Sequence, residues 1–250
     1  MSAMPNCTLV SFIIPAHNEE QLLGRTLSAI AAVMRSLQEP AEVIVVDDAS
    51  TDRTAAIASA HQARVVSVQC RHIAAARNAG ARAASGEMLL FVDADTVVNS
   101  AAVGAAIAAM QAGAVGGGAA FSFDGRVPLY ARVLTATALL VFRAARLAGG
   151  CFLFCTSRAF EAVGGFDETV YAAEEAVMSR ALGRHGRFVI LRESVVTSGR
   201  KLRTHRPGEI LGFLLRLAFQ GRNAVRERNG LHLWYGERRE DRDTAWPEKQ

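Results

Sequence analysis

The chain alternates short apolar runs with stretches whose apolar residues return every three or four positions. Leu9–Ile14 reads as a buried strand ending at Pro15. It is followed by Leu22, Leu23, Leu27, Ile30, Val33, Met34 and Leu37 at helical spacing, which predicts a helix over Glu19–Leu37. Val43–Val46 predicts a β-branched strand, Arg53–His61 a helix and Val65–Val68 a third strand. Ile73–Ala84 predicts an Ala-rich helix closed by Gly86, and Met88–Val92 a fourth strand. This βαβαβαβ order implies a mostly parallel, Rossmann-like central sheet with helices on both faces, the α/β class.

The second half is less regular. Val103–Gln111 predicts a helix, Gly116–Phe123 a strand, Phe152–Phe154 a strand and Phe160–Val163 a helical turn. Glu174–Gly183 predicts a helix, and Phe188–Leu191 and Val195–Thr197 two short strands. Leu129–Leu147 is apolar but interrupted by Arg132, Arg143 and Arg146. An ordinary core helix is the favoured reading; a helix lining a cleft or lying on a membrane is the competitor. After Gly199 the chain turns basic, with an amphipathic helix expected over Glu209–Phe219 and a frayed tail. The expected division is one domain over 1–200, with a first half over 8–98 and a second over 99–200, and a basic segment over 201–250.

Three polar clusters fall at the carboxyl ends of the predicted strands, where parallel sheets bind ligands: His17-Asn18-Glu19, Asp47-Asp48 and Asp93-Ala94-Asp95. Asp93 and Asp95 alternate on an extended chain, so both can face one ligand. Two carboxylates beside an apolar strand call for a cation, and hard oxygen donors suit Mg²⁺ or Mn²⁺ bound to a diphosphate. Asp47 and Asp48 point oppositely, so one can read a ligand, assigned to Asp48, while the other ties down the loop; Asp52 is the expected helix cap. Arg77 either contacts a diphosphate or holds Asp93 in place.

Composition narrows the class. Half of the 250 residues are apolar and 21% are charged, which suits a folded domain. The net charge of +4 is too weak and dispersed for a nucleic-acid surface but fits an anionic ligand or membrane surface. Cys7, Cys70, Cys151 and Cys155 lack zinc-ligand spacing. No signal-peptide pattern and no apolar run of about 18–20 residues is present, so a cytoplasmic protein is expected, with peripheral contact at the inner membrane face left open.

Four blocks occur in order: Pro-Ala-His-Asn-Glu-Glu from Pro15, Val-Val-Asp-Asp-Ala-Ser-Thr-Asp from Val45, Arg-Asn-Ala-Gly from Arg77 and Phe-Val-Asp-Ala-Asp-Thr from Phe91. Over about residues 8–200 the chain resembles the family 2 glycosyltransferases of the GT-A fold, whose metal motif is Asp-x-Asp. Gly164–Glu168 looks like the family's Gly-Gly-Phe-Asp-Glu acceptor-side block. The resemblance implies that Pro15, His17, Glu19, Val46 and Asp48 hold the base and ribose of a sugar nucleotide, with Arg77 and Ala94 in the donor site. It implies that Asp93 touches the ribose or a metal-bound water and Asp95 coordinates the divalent ion. The family's Glu-Asp pair, whose Asp is the catalytic base, falls on Glu174 and Glu175. The base here is therefore a glutamate, and either member remains a candidate. A loop after the last strand closes over the nucleotide in related enzymes, which brings in Arg200, Lys201, Arg203 and His205 as diphosphate contacts.

The implied activity is inverting, metal-assisted transfer of a sugar from a nucleotide-diphosphate donor to an acceptor hydroxyl, with Glu175 as base and no enzyme nucleophile. The donor's base and sugar stay open, and a lipid-linked acceptor is one option. The alternative is a catalytically inactive sugar-nucleotide-binding or membrane-associated protein of the same fold. A sugar-nucleotide pyrophosphorylase is disfavoured, because Pro15–Glu20 offers neither its Gly-rich loop nor its basic motif.

Overall fold

The computed structural model describes residues 8–204 together with 208, 209 and 212. Cys7, His205, the tail and nearly all of Glu209–Phe219 lie outside the described residues. Eight strands form one sheet in the order β3-β2-β1-β4-β7-β6-β8-β5. The first four are β1 (Val10–Ala16), β2 (Ala41–Asp48), β3 (Arg64–Val68) and β4 (Met88–Val92), all parallel where they pair. The second half adds β5 (Thr96–Val97), β6 (Gly116–Phe123), β7 (Phe152–Thr156) and β8 (Phe188–Thr197). Of these, β6 and β8 pair parallel, whereas β7 runs antiparallel between β4 and β6.

The helices are α1 (Leu23–Met34), α2 (Thr54–Ala60), α3 (Ile73–Ala83), α4 (Ser100–Gln111), α5 (Leu129–Ala145), α6 (Ser157–Ala162), α7 (Glu174–His185) and α8 (Arg200–Thr204). Alternate strand residues enter two cores, one on each face of the sheet. Val10, Phe12 and Ile14 pack with Leu27 and Ile30 of α1 and Val103 of α4. Ile13, Ile44, Val46 and Phe91 pack on the other face with Ala76 of α3 and Met178 of α7. This double burial is why the strands read as continuous apolar runs.

Several boundaries differ from the sequence expectation for identifiable reasons. Helix α1 starts at Leu23 rather than Glu19, because the loop before it is pinned to the β2–α2 loop. The Glu19 amide donates to Thr54 Oγ1 and the Glu20 amide to Asp52 Oδ2, while Asn18 takes a left-handed φ of 51°. The two strands expected over 188–197 are one strand, β8, whose register against β6 shifts between Gly118 and Ala120. Gly86 does not close α3, which ends at Ala83. The core-helix reading of Leu129–Leu147 is also corrected: within α5 only Ala131 is buried, and Leu129, Val133, Leu134, Leu140 and Val141 stand in solvent. No helix among the described residues is long and apolar enough to cross a membrane.

Candidate active site

The carboxyl ends of β1, β2 and β4 open onto a cleft. It is lined by Pro15, Ala16, His17 and Glu19, by Asp48, by Arg71, His72, Ile73 and Ala76, by Asp93, Ala94 and Asp95, and by Lys201. The three polar clusters separated in sequence therefore meet. His17 is fixed by its Nδ1–H, which donates to the Asp48 carbonyl at 2.7 Å.

Asp48 faces the cleft but is already a strong acceptor. Its carboxylate receives the amides of Cys70 and Arg71 at 2.8 Å and of His72 at 2.9 Å. Arg71 takes φ 47°, which lets three successive amides converge on one anion. Asp48 thus also shapes the β3–α3 loop, and that loop delivers Arg71 and His72 to the cleft. His72 caps α3 and packs its ring against Tyr171, centroids 4.5 Å apart. Sequence reasoning missed both residues, since a lone Arg-His before a helix carries no signature. Its neighbour Asp47 accepts from the Ser50 amide, and Asp52 accepts from the Thr54 amide beside α2.

Behind Asp93 lies a buried charge cluster. The Arg77 guanidinium, 1% exposed, donates to Asp93 Oδ1 at 2.8 Å, Glu174 Oε1 at 2.6 Å and the Gly150 carbonyl at 2.9 Å, with Glu175 Oε1 at 4.0 Å. Arg77 therefore anchors Asp93 rather than lining the cleft itself. Three carboxylates around one cation leave excess negative charge. Desolvation followed by the Glu174 charge pushes Glu175 up to about 7, with Arg77 pulling the other way. Desolvation also raises Glu174 and Asp93, again opposed by Arg77. Desolvation alone would lower Arg77, but Asp93, Glu174 and Glu175 outweigh it and hold the guanidinium protonated. Glu175 occupies space left by Gly150, where any Cβ would collide with Glu175 Oε1. That requirement links the loop before β7 to α7 and has no local sequence signature.

Other assignments need correction. Val46 is fully buried and packs under α3, where a Cβ at Gly80 would lie 2.9 Å from its Cγ2, so its side chain does not reach the cleft. Arg200 is not directed at the cleft as a diphosphate contact. Its Nη2 donates to both Glu19 oxygens at 3.0 Å, a buried pair tying α8 to the β1–α1 loop. Arg203 donates to Asp124 Oδ1 at 3.1 Å and to the Asp124 carbonyl at 2.7 Å; Asp124 also accepts the Gly199 amide. Of the basic set, Lys201 lines the cleft. Ala94 lines it too, with its carbonyl held by Thr26 Oγ1.

Among the described residues no group of three or more His, Cys, Asp or Glu is placed to hold a metal by itself. Asp93 and Asp95 nevertheless share the cleft, and Asp93 is already committed to Arg77. This donor set fits an ion that takes one or two protein carboxylates and completes its shell with phosphate oxygens and water, as Mg²⁺ and Mn²⁺ do.

The mixed sheet with an acidic cleft at its parallel carboxyl edge defines a GT-A fold. Two solved structures share it. One is residues 1–349 of TarS from S. aureus with UDP-GlcNAc, at TM-score 0.61 and 19% identity, covering 90% of this chain and 69% of that one. The other is glucosyl-3-phosphoglycerate synthase from Mycobacterium tuberculosis with Mn²⁺ and UDP-Glc, at TM-score 0.61 and 20% identity, covering 84% and 76%. The family described as Glycosyl transferase family 2 matches residues 11–158, and the chain belongs to it. Validoxylamine A glucosyltransferase from Streptomyces hygroscopicus subsp. limoneus is 36% identical over 103 residues, 37% of this chain and 22% of that protein. The aligned stretches span only 22% to 28% of the first curated relatives' lengths.

Proposed function

We propose that the protein transfers a sugar, with inversion, from a nucleotide-diphosphate donor in the cleft to an acceptor hydroxyl deprotonated by Glu175. One observation carries this reading. Asp93 lines the donor cleft and shares Arg77 with Glu175, whose carboxyl is pushed up to about 7. A base with that affinity is half ionised near neutrality and can take a proton from an alcohol as it attacks. Between the two candidates, Glu174 is 2% exposed and bonded to Arg77 at 2.6 Å, so it positions the cluster. Glu175 faces the gap at Gly150 and is the base.

His17, Asp48, Arg71 and His72 line the cleft and would enclose the nucleoside. Lys201, with its positive charge, would meet the diphosphate. Asp95, with Asp93, would hold a divalent ion, which supplies charge neutralisation to the departing nucleoside diphosphate. The Mn²⁺ and sugar nucleotides in the two structural relatives support this choice of donor. The test is a thermal-shift series with UDP-, GDP- and dTDP-sugars, each with and without Mn²⁺. A donor that binds the native state raises the melting point by mass action. Asp95→Ala should abolish the Mn²⁺-dependent part of that shift. No stabilisation by any sugar nucleotide would remove the donor assignment, while stabilisation without transfer to any acceptor would leave a binding protein.

A further inference from the structure

We propose that α5 docks the protein on the surface of an anionic phospholipid bilayer. Leu129, Leu140, Val133, Val141 and Leu134 of this helix are 72%, 71%, 58%, 55% and 46% exposed. At about 100° per residue these five side chains fall within an arc of roughly 140°, shared with the half-buried Tyr130 and with Thr137 and Ala144, and free of charge. Ala131, the buried residue, lies on the other side. Arg132 and Arg143 lie together along one edge of the arc. From Gly125 to Phe160 the chain holds Arg126, Arg132, Arg143, Arg146 and Arg158 and neither Asp nor Glu. A broad apolar arc with arginines along one edge is suited to lie in an anionic headgroup layer, where each cation adds to the attraction.

Charge selects this occupant over two others. A second copy would set the same arginines against each other. Residues 206–228 carry Arg206, Arg216, Arg222, Arg226 and Arg228 against Glu209 and Glu227, a net charge of the same sign as the face. The loop after α5 is tied to the helix carrying Glu175, since the Ala148 amide donates to Ser179 Oγ of α7. Docking would therefore bring Glu175 toward a lipid-borne hydroxyl. That consequence rests on the transfer reading; the docking does not.

The test is co-sedimentation of the full chain with phosphatidylcholine vesicles, with and without phosphatidylglycerol. Binding is expected with phosphatidylglycerol and should fall about tenfold or more in Leu140→Glu/Val141→Glu, and similarly in Arg132→Gln/Arg146→Gln should the first variant misfold. No binding by the wild type, or undiminished binding by folded variants, overturns the proposal. So does a wild-type dimer in sedimentation equilibrium that Leu140→Glu dissociates, which would make α5 an interface between copies. Binding is read without turnover, so a protein that docks but transfers no sugar upholds the docking and counts against the transfer reading.

Discussion

Arg77 and Arg200 are both buried, yet they face carboxylates in unequal numbers. Among the described residues the carboxylate that Arg200 bridges to is Glu19, with a single Nη2 donating to both carboxylate oxygens. Arg77 meets Asp93, Glu174 and Glu175 within 4.0 Å. This pair serves to lock α8 onto the β1–α1 loop. An unbalanced cluster leaves one carboxyl that ionises reluctantly, and that carboxyl is available for proton transfer. The difference separates a structural lock from the proposed base better than residue type does, since both sites are built from the same kinds of side chain.

The strongest way to break this comparison is Glu175→Gln. Losing a general base should cost roughly 10²–10⁴-fold in kcat. The melting point should hold or rise, because the excess negative charge is gone. Transfer at the wild-type rate would place the base elsewhere. Arg77→Met comes next, leaving buried anions without their cation at a cost of about 3–5 kcal/mol in denaturant unfolding. Arg200→Met alone should also destabilise, but Arg200→Met with Glu19→Leu should recover most of the loss. For Arg77 no single partner substitution should do so.

The pH dependence sharpens the contrast. Glu175 is raised from 4.5 to about 7, so between those values the native state holds a proton that the unfolded chain releases. Its contribution therefore lowers stability as pH rises through this window, whereas transfer should rise as the base ionises. Glu175→Gln should remove that slope, as read by melts across the window; an unchanged slope would assign it to Asp93 or Glu174. The smallest effect belongs to an exposed ion pair. Arg53, 81% exposed, contacts Glu20 at 3.2 Å, and Arg53→Ala should change stability by less than about 1 kcal/mol.

Legibility in the sequence followed the range of the interactions. Strands β1, β2 and β4 were readable because burial on both faces forces continuous apolar runs, and the acidic ends of β2 and β4 were readable because charge is conspicuous beside such runs. The short strand β5 was not, since two residues carry no period and its pairing with β8 is set from afar. The exposed arc of α5 shows the same limit: apolar periodicity says that a helix has an apolar face, not what covers it.

By itself, the sequence determined the α/β order, the positions of Asp48, Asp93 and Asp95 at strand ends, and the family to which those blocks belong. Only the tertiary structure decided that Asp48 is wrapped by the 70–72 amides, that Arg200 and Arg203 close on Glu19 and Asp124, and that Glu175 rather than Glu174 stands in the gap at Gly150. The physical reason is that a side chain's charge state and partners depend on groups dozens of residues away. Those groups meet only when the sheet brings them together.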